Sequence, residues 1–388
     1  MVQGFSALTS FLNKYNIKYM PQIKPDIETF AKIKVIGVGG GGGNAIGRMM
    51  ACRIKGVNFA AVNTDVQDLH YSNAPEKIHI GKELTKGLGA GMHPEIGRQA
   101  AEENREEIRD ALKNLDMVFI TCGLGGGTGS GASPIVAEEA RDVGALTVAV
   151  VTKPFSWEGS QRSRVADEAL EQLKERVDTL ITIPNDRILR TIDKKTSLVD
   201  AFAIVDDILR QGVQGISDLI TTPGLVNVDF ADIKTIMEGG GPALMGIGRA
   251  IGNERGVEAA RAAIHSPLLE LSIDGAKGVL FCIAGGHDMT MSEVDEAAQI
   301  ITESIDPDAK VIFGAVIDDK LRKGELRVTV IATGFEGRGS SNQVLSFEKE
   351  AEDKRPIVDK KKLNLASIEP PENDEWDIPA FVRRKKKK

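Results

Sequence analysis

The glycine-rich stretch Thr121-Cys-Gly-Leu-Gly-Gly-Gly-Thr-Gly-Ser-Gly-Ala-Ser133 constrains the fold of this chain more than any other segment. It follows a short apolar run and precedes a helical pattern, Pro134 to Arg141. Its six glycines free the backbone to bend and keep side chains out of the way. Unpaired N–H groups at the start of a helix bind anions, because the helix dipole adds partial positive charge there. The stretch therefore predicts a phosphate-binding loop, to which Thr128 and Ser130 add hydroxyl donors.

A second glycine run, Gly39 to Gly43, also lies between a predicted strand (Lys32 to Val38) and a predicted helix (Asn44 to Ile54). Gly37-Val-Gly-Gly-Gly-Gly42 satisfies G-x-G-x-x-G, and Asp65 lies about 20 residues further on, as in Rossmann dinucleotide-binding folds. An NAD(P)-binding oxidoreductase is one interpretation, although such an enzyme does not call for a second phosphate loop. Neither glycine loop contains a lysine and no Walker A motif occurs, so backbone amides and hydroxyls would hold the phosphate, with Mg²⁺ sharing the charge.

Strands and helices alternate along the first half of the chain, which predicts a parallel sheet covered on both faces. The further predicted elements are strands Val57–Asn63, Lys77–Ile80, Met117–Thr121, Ala145–Thr152 and Thr179–Ile183, and helices Pro94–Asn114 and Ser163–Val177. Ligands of such sheets bind at the carboxyl ends of the strands, where both glycine loops and the polar strand ends lie. One ligand site is therefore expected at that edge.

The longest helical pattern, Thr196 to Leu219, is apolar on nearly all sides, which predicts a helix buried between two domains. The elements predicted after it are helices Arg255–His265 and Ser292–Ser304 and strands Gly278–Ala284, Lys310–Val316 and Leu326–Ala332. They indicate a smaller α+β domain that ends near Gly334.

The remaining segments predict a loosely attached N-terminal extension and a disordered linker, because neither shows a sustained apolar period. An island with Trp376, Ile378, Phe381 and Val382 follows the linker and indicates a partner surface. The net charge is −7 although the last six residues are all basic, so the body is acidic and nucleic-acid binding is not expected. No apolar run approaches the ~20 residues of a membrane span and no signal peptide is evident, which predicts a cytoplasmic protein.

The three cysteines, Cys52, Cys122 and Cys282, are too far apart to indicate a disulfide framework or a metal cluster. We expect them to be buried small side chains in a reducing compartment.

Several blocks together resemble a known family. Gly125-Gly-Gly-Thr-Gly-Ser-Gly131 resembles the tubulin signature. The accompanying blocks are Gly39 to Asn44, Asn63 to Asp65, Val151 to Phe155, Ile183 to Asp186 and Asn227 to Asp232. In this order and spacing the chain resembles the FtsZ family, the bacterial cell-division relatives of tubulin, from about Lys32 to Gly334 and again in the tail.

The resemblance implies an α/β fold in which a Rossmann-like parallel-sheet GTPase domain is joined by a long central helix to a smaller α+β domain, the tubulin/FtsZ fold. The implied parts are an N-terminal extension (1–30), a GTP-binding domain (31–195), the central helix (196–222), a C-terminal α+β domain (223–335) with a catalytic loop (227–232), a disordered linker (336–373), and an adaptor-binding tail with a basic end (374–388).

The resemblance also assigns residues to the binding of GTP and GDP. The phosphates would be surrounded by Gly40, Gly41, Asn44, Gly127, Thr128 and Gly129. Glu158 and Arg162 would contact ribose and phosphate, and Asn185 and Asp206 would read the guanine edge with Phe202 stacking nearby. A carboxylate accepts from both N1–H and the exocyclic amine of guanine, which adenine does not offer, so GTP is chemically consistent with Asp206.

The acidic residues expected to act in hydrolysis follow the long helix. From Asp206 to Thr221 is ~15 residues, or ~22 Å of helix, so Asp229 and Asp232 could hardly reach the γ-phosphate of their own chain. The resemblance implies that the loop inserts into the site of the next subunit, where these acids position water and Asn227 helps to orient it. Head-to-tail contact of this kind generates a filament. A tubulin-like scaffold that binds GTP without hydrolysis is a further interpretation, against which the two acids argue.

The tail residues Asp374, Trp376, Asp377, Ile378, Pro379, Phe381 and Val382 are implied to dock on membrane-tethering division adaptors. The resemblance places such a protein at the mid-cell division ring beneath the membrane, with other division regulators as partners and no direct membrane insertion. Two residues depart from the family pattern. Ser130 stands where Thr is common, and His93 stands where Asn is common, in a loop expected near the γ-phosphate.

Overall fold

The computed structural model describes residues 31–189, 192, 195–222, 224–226, 228–269, 272–318 and 320–335. The predicted N-terminal extension, the linker, the tail with its seven partner-binding residues, and Asn227 lie outside the described residues.

The first half of the described chain alternates strands and helices, as the sequence pattern predicts. The strands are β1 (Ile33–Val38), β2 (Val57–Asn63), β3 (Glu76–His79), β4 (Met117–Gly123), β5 (Leu146–Lys153) and β6 (Thr179–Pro184). The helices are α1 (Gly39–Ala51), α2 (Val66–Tyr71), α3 (Lys82–Thr85), α4 (Pro94–Glu103), α5 (Arg105–Leu112), α6 (Gly127–Asp142), α7 (Ser160–Lys174) and α8 (Asn185–Ile188), with a 3₁₀ turn at Ser156–Glu158.

These six strands pair in parallel in the order β3-β2-β1-β4-β5-β6. Every residue of β1 is buried, and its side chains alternate between two cores: Val35 belongs to one apolar cluster and Ile36 to the other. A strand buried on both faces needs helices on both sides of the sheet, which the connecting helices supply.

The long helix α9 (Leu198–Thr221) packs against both halves of the sheet. Its first turn is capped by Ser197, whose hydroxyl accepts from Asp200 N at 3.1 Å. Its buried side chains Val205, Leu209, Val213 and Ile216 share one apolar cluster with residues of β5 and with Met245, Leu280 and Ile331 from the second half of the chain.

The second half comprises α10 (Phe230–Met237), β7 (Gly241–Ile251), α11 (Arg255–Ile264), β8 (Gly278–Gly285), α12 (Met291–Glu303), β9 (Lys310–Ile317) and β10 (Glu325–Thr333). β7 continues the parallel sheet from β6 through three residue pairs, Thr179 to Ile181 with Gly241 to Ala243. Beyond it the order is β7-β10-β8-β9, and β10 is antiparallel to both of its neighbours. The α/β fold class predicted from the sequence is confirmed.

Several predicted boundaries are wrong. The helix expected from Asn44 begins at Gly39, and the one expected from Pro134 begins at Gly127, so both glycine runs form first helical turns. The single helix expected from Pro94 to Asn114 is broken at Asn104. Strand β7 and helix α10 had no counterpart among the predicted elements. Of the helices in the described ranges, none has the length and apolarity needed to cross a membrane.

Candidate functional site

A cavity of about 360 Å³ opens at the carboxyl ends of β1, β4, β5 and β6, the edge of the sheet where the sequence predicts a ligand site. It is lined by all eleven residues that the resemblance assigns to the nucleotide: Gly40, Gly41, Asn44, Gly127, Thr128, Gly129, Glu158, Arg162, Asn185, Phe202 and Asp206. The structure therefore brings together residues that are widely separated in the chain.

The first turn of α6 presents bare backbone to this cavity. Its N-cap, Gly126, has no side chain to satisfy the first amides, although Gly127 N donates to Gly91 O at 2.7 Å. The hydroxyl of Thr128 lies 2.6 Å from that of Thr64, which fixes its position. Unpaired amides at a helix start suit a phosphate group.

Ser130 does not contribute a hydroxyl to the cavity, contrary to the expectation from sequence. Its Oγ accepts from Gly125 N at 2.9 Å, and its side chain is buried. The Ser130 hydroxyl therefore fixes the backbone of the glycine loop and does not face the cavity.

The two glycine loops approach each other so closely that side chains would occupy the cradle. Gly39 has φ +71°, and a Cβ there would lie 3.0 Å from Gly129 N. A Cβ on Gly129 would lie 2.7 Å from Gly123 O. Because L side chains rarely adopt this φ and no space is left for them, the backbone itself is what a ligand meets.

The opposite wall of the cavity carries a polar atom that lacks a partner. Asn185 is 5% exposed, and its Oδ1 has no hydrogen-bond partner within the described chain. An unsatisfied buried polar atom costs ~1–3 kcal/mol, so a ligand donor is the natural complement. Burial raises the pKa of nearby Asp206 to about 6, an effect that Arg48 partly opposes.

A second cavity of about 550 Å³ adjoins the first across α1. It shares Gly39, Gly40, Asn44 and Asp206 with the first and is also lined by Arg48 and Asp68. The space beside Asp206 is therefore larger than one cavity alone suggests.

Glu158 and Arg162 form an ion pair at the rim, with Arg162 Nη1 2.5 Å from Glu158 Oε2. Glu158 also accepts from Phe155 N at 2.9 Å. Phe155 in turn packs edge-on against Phe202, with ring centroids 5.7 Å apart. These contacts tie the rim of the cavity to α9.

Asp229 and Asp232 lie apart from this cavity and do not line it. Both are exposed, and Asp229 is the N-cap of α10 without a side-chain capping bond. They follow the carboxyl end of α9, whereas Asp206 lies ~15 residues, or ~22 Å of helix, before that end. The structure therefore separates the nucleotide-site residues from the predicted catalytic acids within one chain.

Two other predicted positions have different surroundings from those expected of ligand contacts. The carboxylate of Asp65 caps α2, accepting from Gln67 N at 2.8 Å, and Asp65 is not among the described lining residues of the cavity. His93 is exposed at the start of α4 and is not among the described lining residues of the cavity.

Several lining residues have no assigned role in the sequence prediction, namely Gly91, Thr152, Pro154 and Leu209. Thr152 and Pro154 lie within a family block and could have been found there, whereas Leu209 looks like any core position of α9. Within the described ranges no group of three or more His, Cys, Asp or Glu is placed to hold a metal ion.

Comparisons with known proteins agree with this geometry. The family model of the tubulin/FtsZ GTPase domain matches residues 32–193, and that of the FtsZ C-terminal domain matches residues 241–336. An empty FtsZ dimer from M. jannaschii is 44% identical, with a TM-score of 0.77 over 87% of this chain and 93% of that one. A mutant FtsZ from the same organism is 45% identical, with a TM-score of 0.76 over 86% and 95%.

A more distant likeness concerns the fold alone. CetZ2 from Haloferax volcanii, in a GTPγS-bound protofilament, is 23% identical with a TM-score of 0.67 over 78% of this chain and 93% of that one. The two family models and the 44% identity to an FtsZ structure show that the chain belongs to the FtsZ family of tubulin-like GTPases.

Proposed function

We propose that this protein is a self-assembling cytoskeletal GTPase whose head-to-tail filaments serve the cell-division ring, with GTP hydrolysed at the contact between subunits. The observation that carries this proposal is the separation of two half-sites. One end of α9 borders a complete nucleotide cradle, and the two exposed acids follow its other end.

The binding half uses groups matched to GTP. Bare amides of the two glycine loops take the phosphates, and Thr128 adds a hydroxyl. Asp206 accepts from two donors of guanine, and Asn185 offers its unpartnered Oδ1 to the base. Adenine lacks this pair of donors, so the wall favours GTP over ATP.

Mg²⁺ fits this donor set as a partner of the phosphates. The described carboxylates that line the 360 Å³ cavity are Glu158 and Asp206, and the first is already paired with Arg162. Mg²⁺ would therefore be held through the bound phosphates and not by these side chains, and it would supply neutralisation of phosphate charge.

The catalytic half comes from the next copy of the chain. Asp229 and Asp232 accept a proton from, or orient, the attacking water, and Asn227 helps to hold it. Leu225 beside this loop is 63% exposed, as a side chain at a subunit contact would be in an isolated chain. A similar FtsZ structure is described as a dimer, which supports the self-association that this proposal requires.

The first experiment measures phosphate release and sedimentation together, with GTP and with GDP. Asp232→Ala should bind GTP like the wild type yet lose nearly all turnover, whereas the control Glu296→Ala, an exposed acid on α12, should leave turnover unchanged. Full turnover by Asp232→Ala would refute the shared site. Preferential binding of a nicotinamide cofactor in calorimetry would revive the oxidoreductase interpretation.

A mixing experiment tests whether the acids act between copies. A Thr128→Val variant and Asp232→Ala, each inactive, should together regain activity, because about a quarter of the contacts in a random copolymer would join an intact cradle to intact acids. Both chains must appear in the pellet. Co-sedimentation without any recovered activity would contradict hydrolysis in trans.

We further propose that the tail, residues 374–388, binds membrane-tethering adaptors and that other division regulators act on the filament. Trp376, Ile378, Phe381 and Val382 supply the apolar contacts. Deleting residues 374–388 should leave GTP turnover intact and abolish mid-cell localisation of a fluorescent fusion. Unchanged localisation would remove the tail from this role.

A further inference from the structure

A third cavity, of about 680 Å³, lies between the carboxyl end of α1, the middle of α9 and strands β7 and β10. We call it the arginine cavity. Its described basic lining residues are Arg53, Arg210, Arg249, Lys320, Arg322 and Arg327, and its described acidic ones are Asp318 and Glu325. It shares no described lining residue with the 360 Å³ cavity. In a chain with a net charge of −7, this concentration of positive charge requires an explanation.

The sheet places two of these arginines directly opposite each other. Arg249 on β7 pairs with Arg327 on β10 in the antiparallel register. Like charges at opposite positions of neighbouring strands are destabilising. The pKa of Arg249 is lowered by burial and then by the charge of Arg327, so the two side chains repel each other.

A third arginine approaches from the overlying helix. Arg210 on α9 is 8% exposed, as is Arg327 on the strand below. Three guanidinium groups from three different elements thus line one cavity. Arg210 and Arg327 are buried, which is costly unless negative charge is near, whereas Arg249 is exposed to solvent.

Among the described residues, the groups that contact these arginines leave donors available. Arg210 donates from Nε to Asp207 at 2.7 Å and from Nη1 to the amide oxygen of Gln214. Arg327 Nη2 donates to Asp318 at 3.1 Å, and Arg249 Nη2 to the amide oxygen of Gln211 at 2.9 Å. Each guanidinium has five N–H donors, so these bonds use only part of its capacity.

Charge in the wall stays positive when nearby acids are included. Six basic and two acidic described lining residues give a wall of +4. Asp207 and Asp218 on α9 lie close by, and counting both as charged leaves +2. Burial raises the pKa of Asp218.

We propose that the arginine cavity binds a small soluble anion that carries two or more phosphate groups. The volume is within the range of ~300–1,000 Å³ found for small-molecule sites. Arginine forks bind phosphate and carboxylate oxygens in pairs. Tetrahedral phosphates present oxygens in several directions, which suits donors arriving from a helix and two strands better than one planar carboxylate does.

The test uses full-length protein saturated with GDP in the absence of Mg²⁺, so that the nucleotide site is filled and assembly is suppressed. Sodium pyrophosphate is titrated calorimetrically into wild type, Arg249→Gln and the control Arg261→Gln, which removes the same charge from an exposed position on α11. Arg249→Gln should bind pyrophosphate about tenfold or more weakly, and Arg261→Gln should match wild type. Equal binding by Arg249→Gln, or no binding by wild type, would overturn the proposal.

Two further measurements separate ligand binding from a structural role. Without pyrophosphate, the melting temperature of Arg249→Gln should equal or exceed that of wild type, because the opposed charges are gone. Adding pyrophosphate should raise the melting temperature of wild type more than that of Arg249→Gln. A large fall in the melting temperature of ligand-free Arg249→Gln would show that the arginine is held for stability and refute the proposal. Citrate binding as tight as that of pyrophosphate would overturn the assignment to phosphate.

Discussion

Replacing Gly131 by alanine tests how tightly the phosphate-loop helix must pack against its neighbour. Gly131 lies in α6, where a Cβ would overlap the carbonyl oxygen of Pro94 and lie 2.7 Å from Arg98 N. All of these are backbone atoms of α4, so no side chain can move aside. Moving Arg98 N to an ordinary contact of 3.4 Å requires a separation of about 0.7 Å, and the overlap at Pro94 requires more.

The expected cost follows from two opposing effects. Overpacking of a well-packed interface typically costs ~1–3 kcal/mol. Alanine in a helix interior is favoured over glycine by ~1 kcal/mol, so the net loss should be up to ~2 kcal/mol. The matched control is Gly47→Ala in α1, where a Cβ would meet nothing within 4 Å, and it should gain up to ~1 kcal/mol.

Thermal unfolding of the two variants with GDP bound provides the measurement. Both variants share the helix-propensity gain, so they differ by the overpacking cost of ~1–3 kcal/mol. At ~2–4 °C per kcal/mol, Gly131→Ala should melt about 2–12 °C below Gly47→Ala. GTP turnover of Gly131→Ala should also fall, because the segment before α4 supplies the Gly91 oxygen that binds Gly127 N. Equal melting temperatures, or a higher one for Gly131→Ala, would refute the claim that these helices have no room to separate.

Three further predictions concern charged and thiol side chains. Since the pKa of Asp206 is about 6, GTP affinity measured by calorimetry should fall as pH drops from 8 to 5, because protonation removes an acceptor for guanine. A flat affinity profile would contradict the role of Asp206. The same raised pKa stabilises the nucleotide-free fold at low pH, and this contribution is lost as pH rises through about 6. Glu139 is 0% exposed and is bound by two arginines at 2.7 and 2.6 Å, so Glu139→Gln should lower the free energy of unfolding in urea by ~2–3 kcal/mol. Glu95→Gln, in an exposed pair, should lower it by less than ~1 kcal/mol. Similar losses for the two variants would contradict this prediction. Burial raises the pKa of Cys122 to about 12, so iodoacetamide at pH 8 should modify the partly exposed Cys52 first by mass spectrometry, and early modification of Cys122 would show that the core opens.

The sequence could predict that the residues assigned to the nucleotide lie together, because most of them belong to short blocks near strand ends. The α/β alternation places those ends at one edge of the sheet, and all eleven assigned residues line one cavity there. The roles of Asp229, Asp232 and Asn227 stay predictions, because an isolated chain does not contain the contact in which they would act.

Glycine explains most of the errors in the predicted elements. Propensity alone places Gly39 and Gly127 in loops, yet both begin helices, because tertiary contacts outweigh their poor intrinsic preference. Strand β7 was missed for a related reason. A Cβ on Gly246 or Gly248 would overlap carbonyl oxygens of α11, so these glycines permit close packing of a helix on the strand, although in sequence they resemble a loop.

The arginine cavity could not be found from sequence at all. Arg249 and Arg327 are distant in the chain, and only the register of β7 against β10 places them face to face. Periodicity predicts which face of a strand is buried, but it does not predict which residue of a remote strand lies opposite.

The order of the strands has a consequence for synthesis on the ribosome. From β1 to β7, each new strand joins an edge that already exists, first on one side and then on the other, so this part of the sheet can grow as the chain emerges. β10 is different, because it is the last of the described strands to be made and it lies between β7 and β8, with eight residue pairs to each. A nascent chain that stalls before Glu325 therefore exposes two long unpaired edges, the kind of surface that recruits other strands. Completion of the sheet, and protection from aggregation during translation, therefore depend on the nine residues of β10.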